Sequence, residues 1–418
     1  MKVLVVGSGG REHALVWKLS QSPRVTELFA TPGNPGIGQL ATCIPIQPED
    51  LQGICSLVKR ESIDFTVIGP EVPLAMGIVD ALEAQGSRVF GPDASCARLE
   101  GSKSFTKAFL LRHGIPTARA AEFTDRAALE AAIGIFGFPM VIKADGLAAG
   151  KGVVIAADEG EARKAIQEMM GDRIFGAAGD RVVVEEFLTG TEASMLCFVD
   201  RHTIVPMESA QDYKKVLDGD KGPNTGGMGT YSPSLLFDGS LDDRIRKEIL
   251  EPTLQGFQQD GLAFRGVLFV GLMLTEQGPK VIEFNNRFGD PETQSVLPRM
   301  QSDLLSVLEA VVDDRLSEQA IQWDHRHAVC VVLASGGYPG AYEKGKPIDG
   351  LDQMEKDILV FHAGTRMMDH QLVTDGGRVL SVTALGETLE EAREKVYRNL
   401  ESIRFEGMQY RKEIGQIL

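Results

Sequence analysis

The chain has 418 residues, with 59 Asp or Glu against 43 Lys or Arg and a formal net charge of -16 at pH 7. Its length calls for about two to four domains, and its 43% hydrophobic and 24% charged residues are those of an ordinary globular protein. The acidic balance argues against nonspecific binding to nucleic acid or an anionic membrane, so an anionic ligand would need local Lys, Arg and backbone N–H groups. The five cysteines (Cys43, Cys55, Cys96, Cys197 and Cys330) form no CxxC pair. Neither a disulfide framework nor a zinc knuckle is expected, and a reducing, cytoplasmic location is. No apolar run approaches the roughly 18 residues of a membrane span, and the one in MKVLVVGSGG is too short for a signal peptide.

Strands and helices alternate through the first hundred residues. KVLVVG is a buried strand, REHALVWKLSQS a helix, and ELFATPG and DFTVIGPEVP are further strands ending in Gly/Pro turns. PLAMGIVDALEAQG is a helix closed by Gly86, and RVFGP a last short strand. Such alternation predicts a parallel sheet with ligands at the strand C-termini. A helix in EGSKSFTKAFLLRHGIP opens the next unit, and PMVIKADGLAAGKGVVIA is two strands joined by a glycine-rich loop. RVVVEEFLTG and EASMLCFVD are strands, residues 210–230 a loop, 241–260 helical, GVLFVGLML and VIEF a hairpin, and SDLLSVLEAVVD a helix. After about residue 325 short strands and the helix TLEEAREKVYRNLESI suggest a small C-terminal α+β domain.

Four stretches carry candidate chemistry. In VVGSGGREH a strand meets a helix through glycines, which lets backbone N–H groups and the helix dipole approach an anion. A dinucleotide fingerprint would need glycine where Glu12 stands, and LFATPGN offers no acid for a ribose. A smaller phosphate ligand or a tight turn without one both remain open. KADGLAAGKG is not a P-loop, because Gly152 replaces the magnesium-binding Ser or Thr and a strand follows. It does place Lys143 at a strand end and Lys151 on the loop, either to grip a polyphosphate or to be solvated. VEEFLTGTE ends an apolar strand in acids, and its backbone could meet an adenine edge while Glu192 accepts from ribose hydroxyls.

The fourth stretch, VIEFNNRFGDPE, is the most informative. A period of two puts Glu283, Asn285 and Arg287 on one face and Phe284 and Phe288 on the other. Glu283 and Asn285 are hard oxygen donors suited to Mg²⁺. Arg287 suits a phosphoryl or acyl-phosphate charge. A solvated strand face is the competing explanation. No HExxH or GxSxG pattern occurs, which disfavours zinc and serine hydrolases.

The order of these pieces resembles the ATP-grasp superfamily. Together VLVVGSGGREHAL, VIGPEVPLAMGIVD, LEGSKSFTK, VIKADGLAAGKGV, VEEFLTGTEAS, DGDKGPNTGGMGTYSP and VIEFNNRFGDPETQ resemble the phosphoribosylamine–glycine ligase family. That resemblance runs from residue 1 to about 415, with FHAGT and TDGGRVLSVTA in the last part. It implies a multidomain α/β and α+β protein. Residues 1–102 would form a Rossmann-like substrate domain and 121–192 an ATP-grasp lid. The ATP-grasp core would span 103–120 and 193–325, and an α+β domain 326–418. Tyr213 stands where many members have His, and Asn286 where a smaller or apolar residue is commoner. Asn286 should point away from the site and needs a hydrogen-bond partner if buried.

By the same resemblance the chain is expected to join glycine to 5-phosphoribosylamine through glycyl phosphate, the second step of purine synthesis, using ATP and Mg²⁺ or Mn²⁺. Glu283 and Asn285 match the metal ligands, and Arg287 the arginine on the transferring group. Lys103 and Lys143 match lysines on the ATP phosphates, with Lys151 on the closing loop. Glu186 and Leu188 match adenine contacts, and Glu192 the ribose contact. Asp212, Lys214, Gly226 and Gly227 fall in the glycine and acyl-phosphate pocket, while Gly9, Gly10 and Glu71 fall where phosphoribosylamine docks. A monomer without nucleic-acid or membrane partners is expected. Another ATP-grasp ligase or carboxylase, and a nucleotide-binding regulator that has lost catalysis, are the alternatives. Intact Lys143, Glu283, Asn285 and Arg287 weigh against the regulator.

Overall fold

The computed structural model describes residues 1–147 and 152–416. The N-terminal strands form a five-stranded parallel sheet in the order Thr42–Cys43, Glu27–Pro32, Lys2–Gly7, Phe65–Ile68, Val89–Phe90. Central strand Lys2–Gly7 is apolar and buried on both faces from Val3 onward, as a parallel sheet covered by helices requires. The expected single helix after Phe65–Ile68 is two, Glu71–Ala75 and Ile78–Ala84, because Gly77 at φ +85° turns the chain between them.

Helix Lys103–Arg112 leads out of this sheet, capped by Ser102. Residues 120–186 form a four-stranded sheet in the order Ala120–Phe123, Val182–Glu186, Met140–Ala144, Val153–Ala156. Met140–Ala144 and Val153–Ala156 are the expected hairpin, with Lys143 opposite Val153. Across 187–190 the chain crosses into a second four-stranded sheet, in the order Ile204–Pro206, Thr191–Val199, Gly266–Thr275, Gly278–Asn285. A side chain at Gly190 would strike the Leu274 carbonyl, so the crossing needs glycine.

Residues 210–230, expected as loop, contain four short strands. Two of them, Gln211–Asp212 and Gly229–Ser232, join His327–Ala334, Arg378–Gly386 and Leu359–His362 in one sheet. Gly229–Ser232 is held by His327–Ala334 a hundred residues away, Gln211–Asp212 pairs with Gly229–Ser232, and Lys215–Leu217 pairs with Lys221–Asn224; no local periodicity announces these short strands. Helix Leu389–Leu400 covers that sheet, with Leu389, Ala392, Val396 and Leu400 inward.

Strand Gly278–Asn285 is pinned from two sides. Phe284 packs with Phe109, Phe257 and Phe264 in one core, whereas Phe288 packs with Phe90 and Phe198 in another that reaches the N-terminal sheet. Burying each ring contributes about 1.5–3 kcal/mol. Between them Asn286 is 1% exposed; its amide donates to the Cys96 carbonyl at 2.9 Å and its N–H to Glu100 Oε2 at 2.7 Å. The asparagine thus ties the strand to helix Ala94–Gly101 from the face away from Glu283.

Candidate functional site

Glu283, Asn285 and Arg287 are half-buried while Phe284, Asn286 and Phe288 are buried, so the alternation of the sequence is the alternation of the two faces. Glu283 Oε1 lies 3.4 Å from the Asn285 amide. Burial alone would raise the Glu283 pKa. Lys214, Lys143, Asn285 and Lys103 reverse that and hold the carboxyl below its ordinary value. Three lysines from three separate segments therefore act on one carboxylate through space, although among the described residues none is within ion-pair distance of it.

Each lysine is held differently. Lys143, at the end of its strand, pairs with buried Glu185 at 2.9 Å, and Lys107 takes the other Glu185 oxygen at 3.1 Å. Lys103 donates to the Gly146 carbonyl at 2.8 Å, at the start of the glycine-rich loop. Burial lowers its pKa, Glu283 opposes the fall and Lys143 adds to it. Lys214 pairs with half-exposed Glu192 at 3.2 Å. Burial works against its charge, but Glu192, Glu283 and Asp212 carry its pKa above the ordinary value. Lys151 lies outside the described residues. Glu186 stands apart, its carboxylate taken by the Arg119 backbone N–H at 2.9 Å and by Arg119 Nε at 2.6 Å. Leu188 follows it, half-buried, in the crossing between the two sheets.

Next to the lysines lies an acid pair, half-buried Asp212 and buried Glu292. Burial first, and then the Glu292 carboxylate, push Asp212 well above the usual range, and burial also pushes Glu292 up. Among the described residues Asp212 Oδ1 has no hydrogen-bond partner. It lies 2.8 Å from where a Gly227 side chain would begin, and a ligand cation brought here would relieve the pair.

The third part is the junction with the N-terminal sheet. Arg287 Nη2 pairs with Glu100 at 3.2 Å, and its Nε lies 3.9 Å from Glu71. Arg11 pairs with Glu12 at 2.5 Å and donates to the Phe288 carbonyl at 3.2 Å. Glu12 folds back between Gly7 and Gly69, each of which would overlap it if it bore a side chain. Its carboxylate accepts from the Gly9 N–H at 2.7 Å. The glycines of this turn therefore house an acid of their own chain. Gly9 faces Asp290 and Gly10 faces Gln294.

Most of the sequence-predicted residues thus fall in three adjoining groups. Lys103, Lys143, Lys214, Glu192, Glu283 and Asn285 come together; Asp212, Gly226 and Gly227 adjoin them; Gly9, Gly10, Glu71 and Arg287 meet at the junction, while Glu186 and Leu188 stand outside these groups. Sequence reasoning missed Glu185, Arg11, Glu12, Glu100, Asp290, Glu292 and Arg378. Arg11, Glu12, Asp290 and Glu292 stood inside the quoted motifs, and Glu185 beside Glu186. Arg378 stood inside the quoted TDGGRVLSVTA, but nothing there marked a role for its guanidinium, which reaches Gly226 and Asp290 from the C-terminal sheet. Among the described residues no three His, Cys, Asp or Glu converge as metal donors. The ionised Glu283 and the Asn285 amide nevertheless fit Mg²⁺ or Mn²⁺, which take one or two protein oxygens with substrate phosphates.

Two four-stranded antiparallel sheets with lysines and an oxygen-donor strand between them define an ATP-grasp protein, and residues 101–293 match the description "Phosphoribosylglycinamide synthetase, ATP-grasp (A) domain". Residues 1–100 and 328–417 match the N and C domains of the same synthetase. The chain belongs to the phosphoribosylglycinamide synthetase family. It is 49% identical over 415 residues to the phosphoribosylamine–glycine ligase of Halalkalibacterium halodurans, covering 99% of this chain and 96% of that one. It is 51% identical over 420 residues to the trifunctional purine biosynthetic protein adenosine-3 of Gallus gallus, covering 99% of this chain and 42% of that one. The crystal structure of the Thermotoga maritima phosphoribosylamine–glycine ligase superposes with a TM-score of 0.87 at 37% identity, over 99% of this chain and 100% of that one. The biotin carboxylase domain of the Hydrogenobacter thermophilus 2-oxoglutarate carboxylase, at 16% identity and a TM-score of 0.75 over 98% of this chain and 91% of that one, shares the fold.

Proposed function

We propose that this chain ligates glycine to 5-phosphoribosylamine with ATP, giving glycinamide ribonucleotide, ADP and phosphate. The observation that carries the reading is Glu283 ringed by Lys103, Lys143 and Lys214, with the Asp212 pocket on one side and the Gly9–Gly10 turn on the other. A polyphosphate, a small acid and a phosphorylated amine would then lie in sequence along one cleft.

A carboxylate is a poor electrophile. An oxygen of the glycine carboxylate attacks the γ-phosphorus, the bond to ADP breaks, and glycyl phosphate forms. The amine nitrogen then attacks the acyl carbon, the bond to phosphate breaks, and the amine gives up a proton. Most of the acceleration in such a reaction is positioning and charge stabilisation. Lys103 and Lys143 grip the ATP phosphates, and Arg287 steadies the transferring phosphoryl and then the acyl phosphate. Asp212 receives the glycine ammonium, and Lys214 offsets charge on the reacting carboxyl. Adenine lies against the backbone at Glu186 and Leu188, and Glu192 takes the ribose. Lys151 is assigned to the ATP phosphates, and phosphoribosylamine docks by Gly9, Gly10 and Glu71. Glu283 and Asn285 would hold Mg²⁺ or Mn²⁺, which neutralises phosphate charge when bound. We expect a cytoplasmic monomer. Among the described residues no helix is long and apolar enough to cross a membrane, and all five cysteines are free.

The test is ADP release with ATP and Mg²⁺, omitting glycine or phosphoribosylamine in turn. Release that ignores glycine, or that runs equally with bicarbonate, overturns the reading. Glu283→Gln should lower kcat by about 10²-fold or more, because metal-assisted charge stabilisation is worth several kcal/mol.

A further inference from the structure

We infer that Arg378 is a positioning residue for acyl transfer, setting the spacing between the acid-side and amine-side halves of the site. This rests on the ligase reading above. Arg378 opens strand Arg378–Gly386 of the C-terminal sheet. Its Nη1 donates to the Gly226 and Asp290 carbonyls at 2.7 Å each and lies 3.5 Å from the Gly227 carbonyl. Its Nη2 pairs with Asp290 Oδ1 at 3.3 Å. One planar guanidinium therefore joins the glycine-side turn to the segment after Arg287. Such a fork fixes direction as well as distance, which a lysine ammonium does not.

That segment is also the wall of the amine side. Asp290 Oδ2 lies 3.4 Å from where a Gly9 side chain would begin, and Gln294 holds Asp290 Oδ1 at 2.9 Å. Three residues beyond Arg378, Ser381 Oγ lies 3.5 Å from where a Gly10 side chain would begin. The same strand thus reaches the Gly226 turn with its first residue and the Gly10 turn with its fourth. From the same domain Tyr338 Oη accepts the Gly226 N–H at 3.0 Å, so both polar groups of Gly226 are held from the C-terminal part. The phosphorylation step needs glycine and ATP aligned. The second step needs the acyl carbon on the Gly226 side brought to the amine on the Gly10 side, and Arg378 spans that interval.

When the spacing is lost, water takes the place of the amine. It attacks the acyl carbon of glycyl phosphate, the bond to phosphate breaks, a proton leaves, and glycine and phosphate result. ADP has then been released without amide.

The experiment measures ADP and glycinamide ribonucleotide together in the full-length protein with ATP, Mg²⁺, glycine and phosphoribosylamine, for Arg378→Lys, Arg378→Ala and Tyr338→Phe. We expect glycine-dependent ADP release to persist in Arg378→Lys while amide per ADP falls from one to well under one. Tyr338→Phe should shift the ratio in the same direction by less. In Arg378→Ala amide formation should fall by about 10²-fold, the cost of a displacement near 1 Å. If Arg378→Ala is not recovered folded, Arg378→Lys and Tyr338→Phe decide. Equal losses of ADP and amide, or a ratio that stays at one in both, overturn the inference. Wild-type ADP release independent of glycine would instead overturn the ligase reading.

Discussion

The two glycine turns that flank the Gly289–Glu292 segment are held in opposite ways. The Gly7–Gly10 turn is filled by Glu12, two residues further along the same chain, whose carboxylate takes the Gly9 N–H. The Gly226–Gly227 turn is held mainly from far away, by Arg378 and Tyr338, with one local bond in which Thr225 Oγ1 accepts the Gly227 N–H at 2.9 Å. A locally built turn keeps its shape wherever it is placed. A turn held by a distant sheet has its shape only when that sheet has folded against it, so its geometry reports on the whole assembly.

The comparison is tested most severely by Gly227→Ala. Gly227 sits at φ +112°, and a side chain there would overlap the Pro291 ring and press Asp212 Oδ1. Strain in that region costs about 1–3 kcal/mol, and a shift of the proposed glycine pocket should lower kcat/KM for glycine by about 10²-fold. Steady-state kinetics with urea melts would show both. Wild-type kinetics in a folded variant would mean that the turn is not remotely fixed.

The first turn is also tied to a remote segment, and one such tie is acid-sensitive. Asn34 Nδ2 donates to the Ser8 and His362 carbonyls at 2.8 Å each, and His13 Nδ1 accepts the His362 N–H at 2.8 Å. Burial, then the neighbouring His362, pushes His13 down to about 3, and burial pushes His362 to about 4. Both fall below the unfolded value near 6.5. Between those pKa values the unfolded chain binds more protons, so stability is present above about pH 6.5 and is lost as pH falls toward 4. The slope should reach about 1.4 kcal/mol per pH unit for each histidine. Urea midpoints at pH 7.5 and 5.5 measure it, and His13→Asn, whose Oδ1 can still accept, should remove roughly half the difference.

Gly10→Ala should do less. Its side chain would meet Gln294 Nε2 at 2.6 Å, the end of a flexible side chain, and Gly10 is the first residue of helix Gly10–Leu19. Alanine gains about 0.5–1 kcal/mol of helix stability, which offsets a Gln294 shift. Thermal stability should stay near wild type while kcat/KM for phosphoribosylamine falls about tenfold, the equivalent of 1.4 kcal/mol. An equal loss against glycine would show that the two turns do not serve separate substrates.

What could be seen beforehand follows the same division. Strand Lys2–Gly7, the Met140–Ala156 hairpin and the faces of Gly278–Asn285 are legible because a period of two and glycine punctuation are local signals. The place of Asn286 could be told from that period, but not its partners Cys96 and Glu100, which come from a helix some 190 residues earlier. The short strands within 210–230 carry no periodicity, and the one that anchors them to the C-terminal sheet, Gly229–Ser232, finds its partner beyond residue 326. The reach of Arg378 to the Gly226 turn was hidden for that reason, although the residue stood in TDGGRVLSVTA. Its role is set by which sheet edge it opens, not by its neighbours in sequence.

The smallest expected effect lies at the far end of the remote support. Tyr213, the residue after Asp212, accepts the Gly415 N–H at 3.2 Å through its hydroxyl, and the buried Arg411 guanidinium lies 4.9 Å from its ring centre. Arg411 in turn donates to the Lys215 carbonyl at 3.1 Å and to Asp220 at 2.8 Å, so the C-terminal segment braces the hairpin between Asp212 and Gly226. Tyr213→Phe keeps the ring under Arg411 and removes only the acceptor. A lost hydrogen bond of this kind costs about 0.5–1.5 kcal/mol, read as a small fall in the urea midpoint. If Arg378 and Tyr338 alone set the turn, KM for glycine should stay unchanged. A severalfold rise in that KM would extend the remote support of the turn from the C-terminal sheet to the last residues of the chain.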